Sequence, residues 1–292
     1  MIAMMLSAHF LVFTGLEILM NSASPNAFYD SAANQLPLSH NPAARSYKSD
    51  ALDWIGNKSS TSMMWFSGGS SSLTSSIARS TAEFCGSVQQ KKLLTTFFFS
   101  KSDPSRNSAK HFVASLAYGI IQSIPISRTA ITQAVEDDPL MFSGSIEKQF
   151  EKLIFEPLNQ LDLTHQDSAL PYLIIIDAFD ECEGASARTQ ILHLFERFYT
   201  ARLNGHQRNR PPWKILLTSK PDQTISEVIG RLHSKSIASH NILPEERVER
   251  DFLAGQSQEK SVTESGSSKT PVRPLPSRGL RLLSIGVYPS ET

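Results

Sequence analysis

The stretch Leu173-Ile174-Ile175-Ile176-Asp177-Ala178-Phe179-Asp180-Glu181 runs four aliphatic residues into a turn that carries three carboxylates. An unbroken apolar run of this length suits a parallel strand covered on both faces, because neither row of side chains then meets water. The acids stand just past the C-terminal end of that strand, the edge where open α/β sheets bind their ligands. A strand-end aspartate there can hold magnesium, and a neighbouring carboxylate can orient or deprotonate an attacking water. A buried strand that turns into an exposed acidic loop uses the same residues, so the stretch by itself leaves both readings open.

Outward from this strand the chain alternates between two kinds of segment. Met63-Met64-Trp65-Phe66, Leu93 to Ser100 (LLTTFFFS) and Trp213 to Thr218 (WKILLT) read as buried strands, with a further short strand at 239–243. Helices are expected from Asp50 as a cap through Ile55, from Leu73 to about Phe84, and from a cap at Asp103 and Pro104 through Phe112, Leu116 and Ile120. Others are expected at 128–137, 145–161, 187–203, 223–233 and near Glu245 to Leu253. This order predicts an α/β fold, a doubly wound parallel sheet of about five strands flanked by helices, with right-handed crossovers.

The 292 residues, 40% of them hydrophobic, can fill a core of that size. Lys plus Arg and Asp plus Glu both number 28, so no global field draws the chain to nucleic acid or to a charged membrane. Two cysteines, Cys85 and Cys182, make neither a disulfide framework nor a CxxC pair, which points to a reducing, cytoplasmic setting. Met1 to Met20 is apolar, yet it has no basic start and is interrupted by His9 and Glu17, which weighs against a signal peptide or a membrane span. The expected organisation is an N-terminal apolar segment and linker at 1–50, the folded domain at 51–255 and a disordered tail at 256–292. The eight histidines show no metal-ligand spacing, Cys182 sits beside acids that should raise its pKa, and no nucleophile elbow or triad signature occurs.

The segment 173–181 is similar to the Walker B motif of NACHT domains, with Asp177, Ala178, Asp180 and Glu181 in register. Phe97 to Asn107 (FFFSKSDPSRN), Gln149 to Ile154 leading to Pro157-Leu158, and Leu217-Thr218-Ser219-Lys220-Pro221 also resemble the fungal NACHT family and its nephrocystin-3-like N-terminal relatives. These are STAND P-loop NTPases, and the resemblance spans roughly residues 26–253. It implies magnesium on Asp177 and Ser75, and ATP or GTP against Gly68, Gly69, Thr74, Ser75 and Lys220 if a nucleotide is bound at all. It further implies Asp180 and Glu181 as the catalytic acids of an active domain. Lys220 stands where the family normally has arginine, so a γ-phosphate contact becomes a point contact rather than a fork.

Aligned with the family's Walker A pattern, Ser67 to Ser76 (SGGSSSLTSS) keeps Gly68 and Ser75 but has Leu73 for the second glycine and Thr74 for the lysine. The lost charged hydrogen bond is worth roughly 1.5–3 kcal/mol, and a left-handed backbone forced on Leu73 would cost about 1–2 kcal/mol. Together these weaken binding by roughly two to three and a half powers of ten. A flexible Gly/Ser loop that binds nothing is an equal reading of the same residues. Three functions follow from the resemblance: a degenerate module that binds other proteins, full-length NACHT or STAND proteins among them, with little or no nucleotide; a working ATP- or GTP-dependent switch in non-self recognition or cell death; and a truncated remnant.

Overall fold

Five parallel strands lie in the order β2-β3-β4-β1-β5, with β1 Met63–Gly68, β2 Leu93–Phe98, β3 Leu173–Asp177, β4 Lys214–Ser219 and β5 Ile237–Ile242. The computed structural model describes residues 14–35, 42–57, 61–161, 170–204, 213–232 and 237–242. All of them fall in one compact unit, Met1–Glu249. The helix expected near 245–253 and the tail expected at 256–292 lie outside the described residues, as do the first thirteen. Among the described residues no helix is long and apolar enough to cross a membrane.

The sheet is buried on both sides, which is why strands β1, β3 and β4 read as continuous apolar runs. Met64, Phe66, Phe98, Ile175 and Leu216 face one layer, made by α2 (Pro42–Gly56) and α3 (Ser71–Gly86). Trp65, Phe97, Ile174, Ile176 and Leu217 face the other, where α4 (Phe112–Ser123), α8 (Ala185–Asn204) and α9 (Gln223–Arg231) pack. Successive strand residues alternate between the layers, as the pleat requires. The result is a doubly wound parallel sheet with helices on both faces.

Several expected boundaries shift. The helix expected to start at Asp50 starts at Pro42, with proline in its first turn. Its buried side is Ala44, Ala51, Trp54 and Ile55, and the Tyr47 ring packs edge-on to Phe66 at 6.0 Å. Ala44 and Tyr47 continue the apolar stripe at helical spacing, but neither is a strongly apolar residue.

Asp103 does not cap a helix. It accepts from the Ser105 amide at 3.0 Å and pairs with Arg106 at 3.0 Å, while α4 opens only after a 3₁₀ turn at Ala109–His111. The helix expected at 145–161 is α6 (Ile146–Phe150), a π turn (Glu151–Phe155) and α7 (Glu156–Gln160). Pro157 follows the wide turn directly. Its ring would strike the carbonyl four residues back in a regular helix, and the wider turn relieves that clash.

Residues 14–34 join the packing rather than standing apart from it. Helix α1 (Gly15–Ser22) has a capping box between Thr14 and Glu17. It lies so close to α5 (Arg128–Asp137) that a Cβ on Gly15 would come within 2.2 Å of the Thr132 carbonyl oxygen. Leu19 and Ala27 are fully buried in the core. Short 3₁₀ turns at Pro25–Ala27 and Ala32–Asn34 follow α1.

Candidate functional site

Register brings the C-terminal ends of β1, β4, β3 and β2 side by side, with Ser67 beside Ser219 and Phe98 beside Asp177. Asp177, the last residue of β3, is buried among hydroxyls. Ser75 Oγ on α3 donates to its Oδ2 at 2.6 Å, and Thr218 Oγ1 at the end of β4 donates to its Oδ1. Thr218 Oγ1 in turn accepts from the Ala178 amide at 3.2 Å. Burial pushes the Asp177 carboxyl up to about 6, against the opposing pull of the Ser75 and Thr218 hydrogen bonds.

The two acids further on hold backbone. Asp180 Oδ1 accepts from the Lys220 amide at 2.8 Å, and Glu181 Oε2 accepts from the Lys101 amide at 2.8 Å. Each carboxylate thus pins the exit of a neighbouring strand, β4 and β2. Ala178, between Asp177 and the acids, sits in the left-handed region at φ 51°. The turn that aims the carboxylates is therefore strained.

The phosphate-loop segment has a different form from the one its sequence implied. Helix α3 begins at Ser71, capped by Ser70, whose Oγ accepts from the Leu73 amide at 3.4 Å. Gly69 and Ser70 alone separate it from β1. Leu73 takes no left-handed conformation: it lies inside the helix, buried against the core, so the expected backbone strain there is absent. Thr74 is buried too, its hydroxyl turned back on the carbonyls of Ser70 (3.3 Å) and Ser71 (3.0 Å). Helical turn occupies the place where a loop would wrap a phosphate. Gly68 closes β1, Gly69 faces open space, and Lys220 is exposed, its amide donating to Asp180.

Of the residues predicted from the sequence, the fold brings Ser75 and Asp177 into contact and places Glu181 with them around a cavity of about 400 Å³. Thr74, Gly68, Gly69, Asp180 and Lys220 do not line it. Sequence reading overlooked Thr218, which touches Asp177 directly, and Arg79, Arg106 and Asn34, which line the cavity. Thr218 was visible as a hydroxyl at the end of an apolar strand; Asn34 carried no signal. The Cys182 thiol is pushed up to about 12, chiefly by burial rather than by the adjacent acids. Among the described residues no cluster of three or more His, Cys, Asp or Glu could hold a metal.

The family profile for nephrocystin 3, N-terminal, matches residues 46–220. The chain belongs to this family. Family and fold together make it an NTPase-like domain. No curated protein matches the chain. Among solved structures, the Drosophila ORC bound to GC-rich DNA and Cdc6 is similar at 10% identity with a TM-score of 0.41. That similarity covers 83% of this chain, which spans about a third of the matched chain's length, 35%.

Proposed function

We propose that this nephrocystin 3 N-terminal domain is a regulatory, protein-interaction module whose nucleotide binding is weak or lost. The observation that carries the reading is the early start of α3 at Ser71, which fills the phosphate loop with helix and turns Thr74 inward. On the cation side the residues suit magnesium, because Ser75 and Asp177 present hard oxygen donors 2.6 Å apart. On the phosphate side they do not suit a triphosphate. Among the described residues no ammonium group stands at the start of α3, and Arg79 and Arg106, the guanidiniums of the cavity, are engaged by Glu83 and Asp103 at 3.0 Å each. Partner proteins, full-length NACHT or STAND proteins among them, would then be the ligands.

The Ser75–Asp177 pair favours a second reading, an ATP- or GTP-dependent switch that keeps its cation end. Titrating each nucleotide with magnesium while following thermal unfolding separates the two, since a ligand that binds only the folded state raises its stability. No shift at millimolar nucleotide supports the interaction module. A saturable shift that Asp177→Ala abolishes would overturn it in favour of the switch.

A further inference from the structure

A second cavity, of about 360 Å³, lies beside the outer strand β2 and shares no lining residue with the one at Asp177. Its size is that of a small-ligand pocket. Aromatic rings wall it. Phe28 and Tyr29 come from the segment after α1 and Tyr118 from α4, with the Phe28 and Tyr118 ring centres 6.0 Å apart.

The wall from β2 includes a buried hydroxyl. Thr95 lines the cavity at 4% exposure, and its Oγ1 has no hydrogen-bond partner among the described residues. Gly119 of α4, also in the lining, is so close that a Cβ there would come within 2.1 Å of this oxygen. Any larger residue would fill the space before the hydroxyl. Buried hydroxyls without partners are costly and rare. The neighbouring hydroxyls are in use: Thr96 Oγ1 accepts from the Tyr29 amide at 3.1 Å, and Ser123 Oγ donates to the Leu94 carbonyl at 2.6 Å.

The charge of the lining has one sign. Among the described residues Asp30 is its sole charged member, exposed and without a hydrogen bond or ion pair, and the exposed Gln122 amide is unbonded too. Lys91 and Lys92 precede β2 in the chain but do not line the cavity. The Tyr29 hydroxyl is raised by burial first and then by Asp30 and Glu83, so the charges acting on it are negative.

These features select a ligand. An anion would meet Asp30 with no cation in the lining to hold it, and a purely apolar group would leave Thr95 unbonded. A guanidinium stacks its flat face on aromatic rings and brings five N–H donors and no acceptor. That suits a lining whose unbonded groups offer acceptors: the Asp30 carboxylate, the Gln122 carbonyl and the Thr95 hydroxyl oxygen. An ammonium is a compact point charge with no flat face.

We propose that this cavity is a recognition site for an arginine side chain of a partner protein, with Asp30 as counter-charge and Phe28, Tyr29 and Tyr118 as the stacking surface. The guanidinium chemistry rests on the cavity, and the protein source rests on the interaction-module reading above.

The test titrates the full chain with N-acetylarginine N-methylamide, followed by amide NMR. Saturable shifts should appear at Thr95, Tyr118 and Gly119, and not at Ser75 or Ala178. The citrulline counterpart, which keeps the shape and loses the charge, should bind roughly tenfold more weakly, and so should the arginine compound to Asp30→Asn. Equal affinity for the arginine and citrulline compounds, no saturation, or shifts confined to other residues would overturn the inference. If Asp30→Asn disturbs the fold, the citrulline comparison, made on the unaltered chain, still decides. Free arginine binding roughly tenfold tighter than the blocked compound would assign the site to a small molecule and overturn the protein source. Nucleotide enters none of these titrations, so a nucleotide-driven thermal shift would overturn the module reading and leave this result readable by itself.

Discussion

Ser75 Oγ lies 2.6 Å from Asp177 Oδ2, joining the helix after β1 to the end of β3 across 102 residues of chain. Thr218 closes the other carboxylate oxygen. Asp177 is thus a buried carboxylate met by hydroxyls, and hydroxyl donors stabilise a charge less than a cation would.

That arrangement makes stability depend on pH. The carboxyl's folded value, about 6, lies above its ordinary 3.8, so the native state keeps a proton that the unfolded chain gives up between those values. The contribution is complete below about pH 4 and is lost as the pH rises through 6. Asp177→Asn should therefore raise stability at pH 7.5 by about 1–2 kcal/mol, after allowing for one misdirected amide hydrogen bond, and by little at pH 4.5. Urea unfolding at both values checks this. An equal gain at the two pH values would show that the carboxyl does not titrate in this window.

Restoring the glycine and lysine of a phosphate loop should damage the fold before it helps binding. Leu73 is buried within α3, so Leu73→Gly leaves a cavity and puts glycine in a helix, a loss of roughly 3–5 kcal/mol. Thr74→Lys adds a charge where the native hydroxyl faces its own helix. The double variant is expected to melt well below the wild type and to show no saturable shift with nucleotide. Tight binding by a stably folded double variant would mean that the first turn of α3 unwinds easily.

Ala178 offers the opposite effect. At φ 51° and ψ 45° it occupies a conformation that glycine adopts freely. Relief of about 1–2 kcal/mol of strain, less the entropy glycine gains in the unfolded chain, leaves Ala178→Gly more stable by about 0.5–1 kcal/mol. Ala178→Val should lose more than that. Denaturant midpoints for the pair order them, and a destabilised Gly variant would show that the Ala178 methyl packs too well to remove.

The strands were legible because both sheet faces are buried, which writes a strand as an apolar run with nothing else to confuse it. The Asp177 turn was legible for a related reason, since acids directly after such a run have few places to go. Leu73 and Thr74 were legible as departures from a motif, but not as residues of a helix that starts at Ser71; Ser70 as a cap is the signal that was passed over. The packing of residues 24–34 against the domain was hidden for another reason. Asn26, Asn34 and Arg106 act through hydrogen bonds between distant segments, which leave no period in the chain.

The alkaline limb sets three buried groups against one another. Lys214, at the start of β4, donates to the carbonyls of Trp54 and Asn57 at the end of α2 and lies 4.6 Å from the centre of the Trp54 ring, and burial lowers it to about 8. Between about pH 8 and 10.5 the unfolded chain binds its proton and the native state does not, so this group stabilises as the pH rises. Cys85 and Cys182 do the reverse. Burial raises them to about 11 and about 12, so their contribution is whole below pH 9 and is lost as the pH climbs through those values. Each group changes stability by at most about 1.4 kcal/mol per pH unit, and two thiols outweigh one lysine. Stability should fall between pH 9 and 10 in the wild type, and should hold or rise over that range in the Cys85→Ala, Cys182→Ala double variant, where Lys214 is opposed only above pH 10 by Tyr29 and Tyr172, whose hydroxyls burial raises. Urea unfolding at pH 8, 9 and 10 reads both slopes; a double variant that declines as steeply as the wild type would place the titrating groups elsewhere.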